Sequence, residues 1–303
     1  MYNPRMFKNK SSLQGITYLI ISTLIYSIMP VLIRFLSAEQ MPPNSQVFLR
    51  YIVAFSAAAI YFFVISKSKF KVHKKDLPLL ILVGIFGYGL TNLLFTYGII
   101  YTQVSNALFI FYCYAIITPV LGFIFLKEKV RQVHLIAFSL SLVALLFLFQ
   151  PNNVSTWRLG GILAFGSALT QSFYLIGRKK LVEYSSQFIL LVSTFLGMVS
   201  VGLSAFIFES TFYFGPNGIH SLSSAAWMVT LLFGMGNFLA WLFMSKGFAL
   251  VTTSTGSLVM LMENVFALFF VFMFFQEIPT LTTFFGGILI FTAIILVILK
   301  GES

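Results

Sequence analysis

The feature that most constrains this chain is a succession of ten apolar segments, each about as long as a membrane is thick. A helix needs about 20 apolar residues to cross a hydrocarbon core of about 30 Å. Because lipid offers no hydrogen-bond partners, the backbone must satisfy its own N–H and C=O groups, as a helix does. We therefore predict an all-α integral membrane protein with ten transmembrane helices. The predicted spans are residues 13–36, 45–66, 77–98, 103–126, 132–149, 159–177, 187–208, 225–247, 252–275 and 281–299.

The two halves of the sequence carry matching landmarks. A Leu-x-Gly-Ile pattern begins the first span at residues 13–16 and recurs at 159–162. From the third span onward the offset is 149 positions, as between Gly98 and Gly247 (247 minus 98). Since each half holds an odd number of spans, the second half crosses the membrane inverted, a pattern typical of alternating-access transporters. The predicted repeats are residues 1–150 and 151–303, which must pack together.

Composition excludes several classes of function. Hydrophobic residues make up 59% and charged residues 9% of the chain, whereas soluble domains have about half and about a quarter. The lone cysteine, Cys113, lies within a span and excludes an internal disulfide. No Walker-type loop, His-Glu-x-x-His pattern or nucleophile, histidine and acid arrangement is found in the sequence. We expect neither an enzyme nor an ATP-driven pump, and no cofactor or metal.

The basic residues predict the orientation of the chain. Of its 19 Lys and Arg residues, only Arg34, Arg50 and Arg158 fall on the outer side when the N-terminus is placed inside. Positive charge concentrates in cytoplasmic loops, so both termini are predicted to be cytoplasmic in a cell (inner or plasma) membrane. The net charge of +11 is then explained by the basic residues of the cytoplasmic loops, and no nucleic-acid partner is expected.

Two segments resemble a known transporter pattern. Thr118-Pro119 is followed by an apolar run and Glu128 in the first half, and another apolar run ends at Glu277 in the second. This order is similar to the drug/metabolite transporter superfamily, in its ten-helix branch of two five-helix EamA-type repeats. The resemblance implies a secondary transporter and gives Pro119, Glu128 and Glu277 gating or structural roles. The second half has Ala267-Leu268 in place of Thr-Pro, so we expect a straighter ninth helix.

Glu263 is the strongest candidate for chemistry. It lies about eleven residues into the ninth span, or roughly 17 Å at 1.5 Å per residue, near the centre of the membrane. A carboxylate at that depth is costly, so it should face a cavity. It could bind a substrate ammonium group or carry a coupling proton, and the alternative is a protonated structural Glu that bonds a neighbouring helix.

Polar and aromatic residues form matched stripes on the third and eighth spans. Tyr88 and Asn92 are one helical turn apart, and the repeat offset carries them onto Asn237 and Trp241. The amides either bind substrate or tie helices together, and the rings could stack on a planar substrate or belong to a membrane belt. By the same offset, Tyr114 is the counterpart of Glu263. The predicted substrate-binding residues are Tyr88, Asn92, Tyr114, Asn237 and Trp241.

Two arginines lie near the outer ends of the first two predicted spans. Arg34 and Arg50 could attract a carboxylate or extend to the membrane surface, and the second alternative is the more common one. We expect both side chains to reach the interface.

These observations predict a secondary active transporter that uses alternating access. The expected substrate is a small polar metabolite, most readily an amino acid or a relative exported by the proton gradient. The alternatives are uptake or exchange of an adenosine-linked metabolite such as S-adenosylmethionine, and a non-transporting membrane scaffold or lipid-binding protein. Membrane lipid is the other expected partner, and a homodimer is left open.

Overall fold

The protein is described by a computed structural model. It covers residues 4–67, 72–102, 104–127, 132–148, 158–215, 218–275 and 281–300. Glu128 and Glu277 lie outside the described residues, so their gating or structural roles stay predictions.

Helices account for every predicted span, and the all-α fold class is confirmed. Their bounds follow the apolar segments closely, because hydropathy fixes where a chain enters and leaves lipid. The first half contains α1 (Pro4–Tyr26), α2 (Met29–Ala38), α3 (Pro43–Ile60), α4 (Leu77–Leu82), α5 (Thr91–Tyr101), α6 (Val104–Phe111), α7 (Tyr114–Leu126) and α8 (Gln132–Leu148). The second half contains α9 (Arg158–Lys180), α10 (Ser186–Phe208), α11 (Ser210–Phe214), α12 (Ser224–Leu250), α13 (Thr253–Met260), α14 (Met262–Phe275) and α15 (Leu281–Lys300).

The described helices suit a membrane in length and in surface. Seven helical stretches of the described chain are long and apolar enough to cross a bilayer, and three shorter apolar helices accompany them. Large apolar side chains cover the outside, including Phe208 at 78% exposed and Ile162 at 69%. Exposed apolar patches of this extent mark a lipid-facing surface rather than a soluble one.

The principal helix contacts pair one half with the other. α1 packs against α12, and the equivalent pair in the other half is α9 against α5. The second and seventh spans meet as α3 and α10, the fourth and ninth as α7 and α13, and the fifth and tenth as α8 and α15. Exchanging the halves leaves this set of pairings unchanged, so the two repeats form one interleaved bundle.

Small residues allow the equivalent helix pairs to approach closely. A Cβ on Gly247 would lie 2.9 Å from the carbonyl oxygen of Gly15, where α12 crosses α1. At the equivalent crossing of α5 and α9, a Cβ on Gly98 would lie 3.2 Å from Cβ of Ala164. Because hydrophobic burial does not drive helix association in lipid, close backbone approach at such residues supplies the packing.

Several spans are irregular near their centres. The first span changes from α1 to α2 at Ser27–Ile28, the fourth breaks at Tyr112–Cys113 and the ninth breaks at Leu261. Positions 112 and 261 are 149 apart, so the fourth and ninth spans break at equivalent places. The third span contains a π-helical stretch, Val83–Leu90, and such bulges are frequent at functional sites.

Helix boundaries do not show the asymmetry expected from Pro119. Pro119 lies inside α7 without ending it, and the break in that span precedes it by more than a turn. The ninth span has no such proline and breaks at the equivalent position, Leu261. The breaks therefore follow the repeat and not the proline, and the straighter ninth helix stays a prediction.

Candidate functional site: a polar cavity between the repeats

A cavity lies at the centre of the bundle and is lined by seven of the ten spans. Both halves contribute, so the cavity belongs to the interface between the repeats. Its cavity volume is about 40 Å³, which is enough for about three waters at 10–15 Å³ each. The lining residues are Tyr26, Met29, Ile33, Arg50, Thr91, Asn92, Phe95, Phe111, Tyr114, Gln171, Phe233, Asn237, Trp241, Met260 and Glu263.

The helix breaks lie at the cavity wall. Tyr26 and Met29 flank the break in the first span, and both line the cavity. The same holds for the residues that flank the breaks in the fourth and ninth spans. Non-helical backbone at membrane depth is tolerated where it lines a cavity rather than lipid. These residues are Phe111 and Tyr114 in the fourth span and, in the ninth, Met260 directly before the break and Glu263 in the first turn after it.

The stripes on the third and eighth spans meet directly. The Tyr88 hydroxyl donates to Oδ1 of Asn237 at 2.5 Å, and Nδ2 of Asn237 donates to Oδ1 of Asn92 at 3.4 Å. Asn92 also donates to the backbone carbonyl of Tyr88 at 3.2 Å. The two amides line the cavity and tie α5 to α12 as well. Tyr88 is fully buried and is not among the lining residues, so it supports the wall from behind.

Aromatic rings brace this wall. Tyr88 and Tyr174 each pack edge to face with Trp241, with ring centroids 4.4 Å apart in both pairs. Tyr51 stacks on Tyr88 at 4.7 Å. Trp241 is 2% exposed, so a place in a membrane belt is excluded. Within the described part of the chain, the Nε1 of Trp241 and the hydroxyl of Tyr26 are buried without a hydrogen-bond partner. Both residues line the cavity, so each places an unused donor beside it.

Glu263 lies in the first turn of α14, where the ninth span resumes after its break. It is 5% exposed and lines the cavity, as its membrane depth predicted. Tyr26 and Tyr114, which come from two other spans, line the same cavity. The partial positive charge of a helix N-terminus favours a carboxylate in the first turn. The carboxyl group of Glu263 therefore belongs to the cavity wall.

Arg50 was predicted to reach the membrane surface, and that expectation was wrong. Its side chain is 1% exposed and lines the cavity. Nη2 donates to Oδ1 of Asn92 at 3.1 Å, and the guanidinium lies over the ring of Phe233 at 4.3 Å from its centroid. α3, α5 and α12 enclose Arg50, so its side chain faces the cavity and does not reach the membrane surface. Arg34 behaves differently, since it is partly exposed and donates to the Thr102 carbonyl at 2.7 Å.

Glu209 and Tyr184, which the sequence pattern does not single out, join the two halves near the membrane faces. Glu209 accepts hydrogen bonds from the backbone N–H of Asn44 and of Ser45 at 2.8 and 2.7 Å, at the N-terminus of α3. At the other end of α10, the Tyr184 hydroxyl donates to Oδ2 of Asp76 at 2.8 Å. The loop sequences do not predict these pairings, because the two residues of each pair are more than 100 positions apart in the chain.

Arg178 was counted with the cytoplasmic loops, but the structure buries it. It is 2% exposed and donates through Nε to Ser245 at 2.8 Å and through Nη2 to Ser186 at 3.0 Å. It thus ties α9 to α12 and α10. The last turn of α9 holds three basic residues in succession, and only the packing of α12 and α10 distinguishes this one from its neighbours.

Known proteins resemble the chain in both sequence and fold. The EamA-like transporter family matches residues 13–150 and 158–299. An uncharacterized transporter of Clostridium kluyveri is 24% identical over 200 residues, which is 62% of this chain and 63% of that protein. An uncharacterized transporter of Helicobacter pylori is 24% identical over 210 residues, 68% of each chain. The match thus spans slightly less than two thirds of the Clostridium protein.

A solved crystal structure shares the fold. It superposes with a TM-score of 0.75 at 14% sequence identity, over 95% of this chain and 97% of the other. Identity at that level speaks for architecture alone. The family match covers nearly the whole chain as two copies and agrees with the interleaved halves and their shared cavity. The protein is a multi-pass membrane protein that belongs to the EamA-like transporter family.

Proposed function

We propose that this protein exports a small polar metabolite, an amino acid or a close relative, in exchange for protons by alternating access. The observation that carries the proposal is a carboxylate, Glu263, in a central cavity lined by both inverted repeats. Inverted repeats with a midplane site are the usual architecture of alternating access. The exporting direction rests on the family resemblance.

A single carboxylate can couple the two fluxes. Glu263 binds either a proton or a substrate ammonium group, because the protonated acid has no charge with which to hold a cation. A carrier that must be loaded with one or the other before it reorients exchanges substrate for protons. An ionisable group inside a membrane protein is by default a candidate for such a role.

Contacts between the repeats at the two ends of α10 would have to open during transport. Glu209 holds α3 at one end of α10, and Tyr184 holds Asp76 at the other end. Each joins one repeat to the other. Alternating access requires that these contacts break in turn as the repeats rock.

The rival functions find less support. An adenosine-linked substrate would need free aromatic faces, whereas the rings of Tyr88 and Trp241 pack against each other and against further tyrosines. A non-transporting scaffold would have a dry, fully packed centre. Here the centre contains a polar cavity that is lined by Arg50, Asn92 and Glu263.

The test is counterflow in proteoliposomes with labelled amino acids and an adenosyl compound, with and without a pH gradient. We expect saturable amino-acid counterflow in the wild type that responds to the gradient. Glu263→Gln should fold normally and lose the pH response, whereas Glu183→Gln, which removes an exposed loop carboxylate, should behave as wild type. Adenosyl counterflow without amino-acid counterflow would reject the substrate class, and a pH response retained in Glu263→Gln would reject the coupling residue.

A further inference from the structure

The central cavity holds two opposite charges, one from each repeat. Arg50 on α3 is 1% exposed and Glu263 on α14 is 5% exposed. Both line the same cavity. Buried charges are costly unless each is paired, so their arrangement calls for an explanation.

Arg50 has only neutral partners. Its Nη2 donates to Oδ1 of Asn92 at 3.1 Å, and more weakly to the Asn92 carbonyl and to Oγ1 of Thr96 at 3.4 Å each. Phe233 covers one face of the guanidinium. Its Nε is buried and has no hydrogen-bond partner among the described residues. The guanidinium is thus held in place while part of its donor edge is left unused.

Glu263 does not supply the missing counter-charge. The hydrogen-bond partners of Arg50 are Asn92 and Thr96, and Glu263 is not among them. In the described part of the chain, Arg50 and Glu263 therefore form no ion pair, either with each other or with a third group. A cation and an anion face one cavity without touching.

A zwitterion would complete this arrangement. A carboxylate fits the planar donor fork of a guanidinium, which binds it with two parallel hydrogen bonds. An ammonium group fits a carboxylate with tyrosine hydroxyls around it. From these contacts we infer that Arg50 binds the carboxylate and Glu263 the ammonium group of a zwitterionic amino acid, which spans the cavity from one repeat to the other. This inference rests on the proposed transport function and assigns its substrate chemistry.

The inference explains why each half carries one charge. Neither charge is neutralised until a substrate with both groups is bound, and that substrate then links the two repeats. A molecule with only one of the groups leaves a buried charge unpaired. A site built in this way rejects an analogue that lacks one charged group far more strongly than a hydrophobic pocket rejects a missing methylene.

The test uses the purified full-length protein in proteoliposomes and the amino acid that gives the strongest counterflow. Its competitors are the same amino acid, its carboxamide, which lacks the carboxylate, and its N-acetyl derivative, which lacks the ammonium group. In the wild type both derivatives should compete at least about 100-fold more weakly than the parent. In Arg50→Gln, the carboxamide should compete within about tenfold as strongly as the parent amino acid. The same variant should still reject the N-acetyl derivative. In Glu263→Gln, the N-acetyl derivative should compete within about tenfold as strongly as the parent, whereas the carboxamide should still be rejected.

Two further variants guard against loss of folding. Arg50→Lys keeps the charge and should still reject the carboxamide, although less strongly, because an ammonium lacks the planar fork. Asn92→Asp places a carboxylate against Arg50 inside the protein and should abolish rejection of the carboxamide with Arg50 in place. Arg34→Gln removes an arginine that is not among the cavity-lining residues and is the matched control.

The outcomes separate the two proposals. Amino-acid transport with wild-type rejection of the carboxamide in both Arg50→Gln and Asn92→Asp would overturn the assignment of Arg50 and leave the proposed function standing. Failure of the wild type to transport or bind any of the twenty common amino acids would overturn both.

Discussion

The hydroxyl of Tyr88 donates a hydrogen bond to Oδ1 of Asn237 at 2.5 Å, and the two residues are 149 positions apart in the chain. That separation equals the repeat offset, so Tyr88 and Asn237 occupy equivalent places in the two halves. Residues related by a two-fold axis can touch only where they lie beside that axis. The pseudo-two-fold axis therefore passes between Tyr88 and Asn237, and the cavity next to them belongs to both repeats.

The Tyr88 to Asn237 bond should contribute measurably to stability. We expect Tyr88→Phe and Asn237→Leu each to lower the free energy of unfolding, with a coupling energy of about 0.5–2 kcal/mol between them. Thermal unfolding of the two single variants and the double variant in detergent measures this coupling. Tyr18→Phe is the control, since its hydroxyl accepts a hydrogen bond from Gln14 one turn earlier in α1, in an exposed pair. Strict additivity of the two changes would show that the bond adds no stability.

Gly247 and Gly98 are equivalent positions that should tolerate alanine differently. A Cβ on Gly247 would lie 2.5 Å from Cγ of Leu19 and 2.9 Å from the Gly15 carbonyl oxygen, whereas on Gly98 the nearest atom is Cβ of Ala164 at 3.2 Å. We expect Gly247→Ala to destabilise the fold by about 1–3 kcal/mol through overpacking. Gly98→Ala should be nearly neutral, because alanine favours a helix by about 0.5–1 kcal/mol and offsets the tight contact. Unfolding temperatures of the two variants would decide, and an equal loss would contradict the difference in packing.

Glu209 should matter for stability although it lies in a loop. Its carboxylate accepts from the backbone N–H groups of Asn44 and Ser45 and from the Ser45 hydroxyl at 2.6 Å. A charged acceptor at a helix N-terminus also interacts favourably with the helix dipole. We expect Glu209→Gln to cost about 1–3 kcal/mol, measured by thermal unfolding. Glu183→Gln should cost nothing measurable, and an equal effect of both changes would reject the role of Glu209.

Single cysteines would test the predicted orientation. In a Cys113→Ser background, we expect a membrane-impermeant maleimide added to intact cells to label His220→Cys and not Lys75→Cys. Both positions are exposed, so accessibility within the protein does not separate them. Labelling of Lys75→Cys should appear only after the membrane is permeabilised. The reverse pattern would place both termini outside the cell.

The position of each span and the residues on its polar face follow from local sequence alone. Hydropathy over about 20 residues and helical periodicity are local properties, and the bilayer converts them directly into spans and faces. For this reason the sequence pattern was sufficient to select Asn92, Tyr114, Asn237, Trp241 and Glu263, and all five line the cavity. Their individual functions remain predictions.

Only the tertiary structure decided what Arg50, Arg178 and Glu209 do. A long cationic side chain near the end of a helix reaches water if a path is open, and whether it is open depends on which helices lie alongside. α5 and α12 close that path for Arg50 and turn its guanidinium towards the cavity. Arg178 and Glu209 likewise find their partners on helices that are distant in sequence. The sequence determined the helices and their faces because these are set within one span, whereas the pairing of buried charges is set between spans.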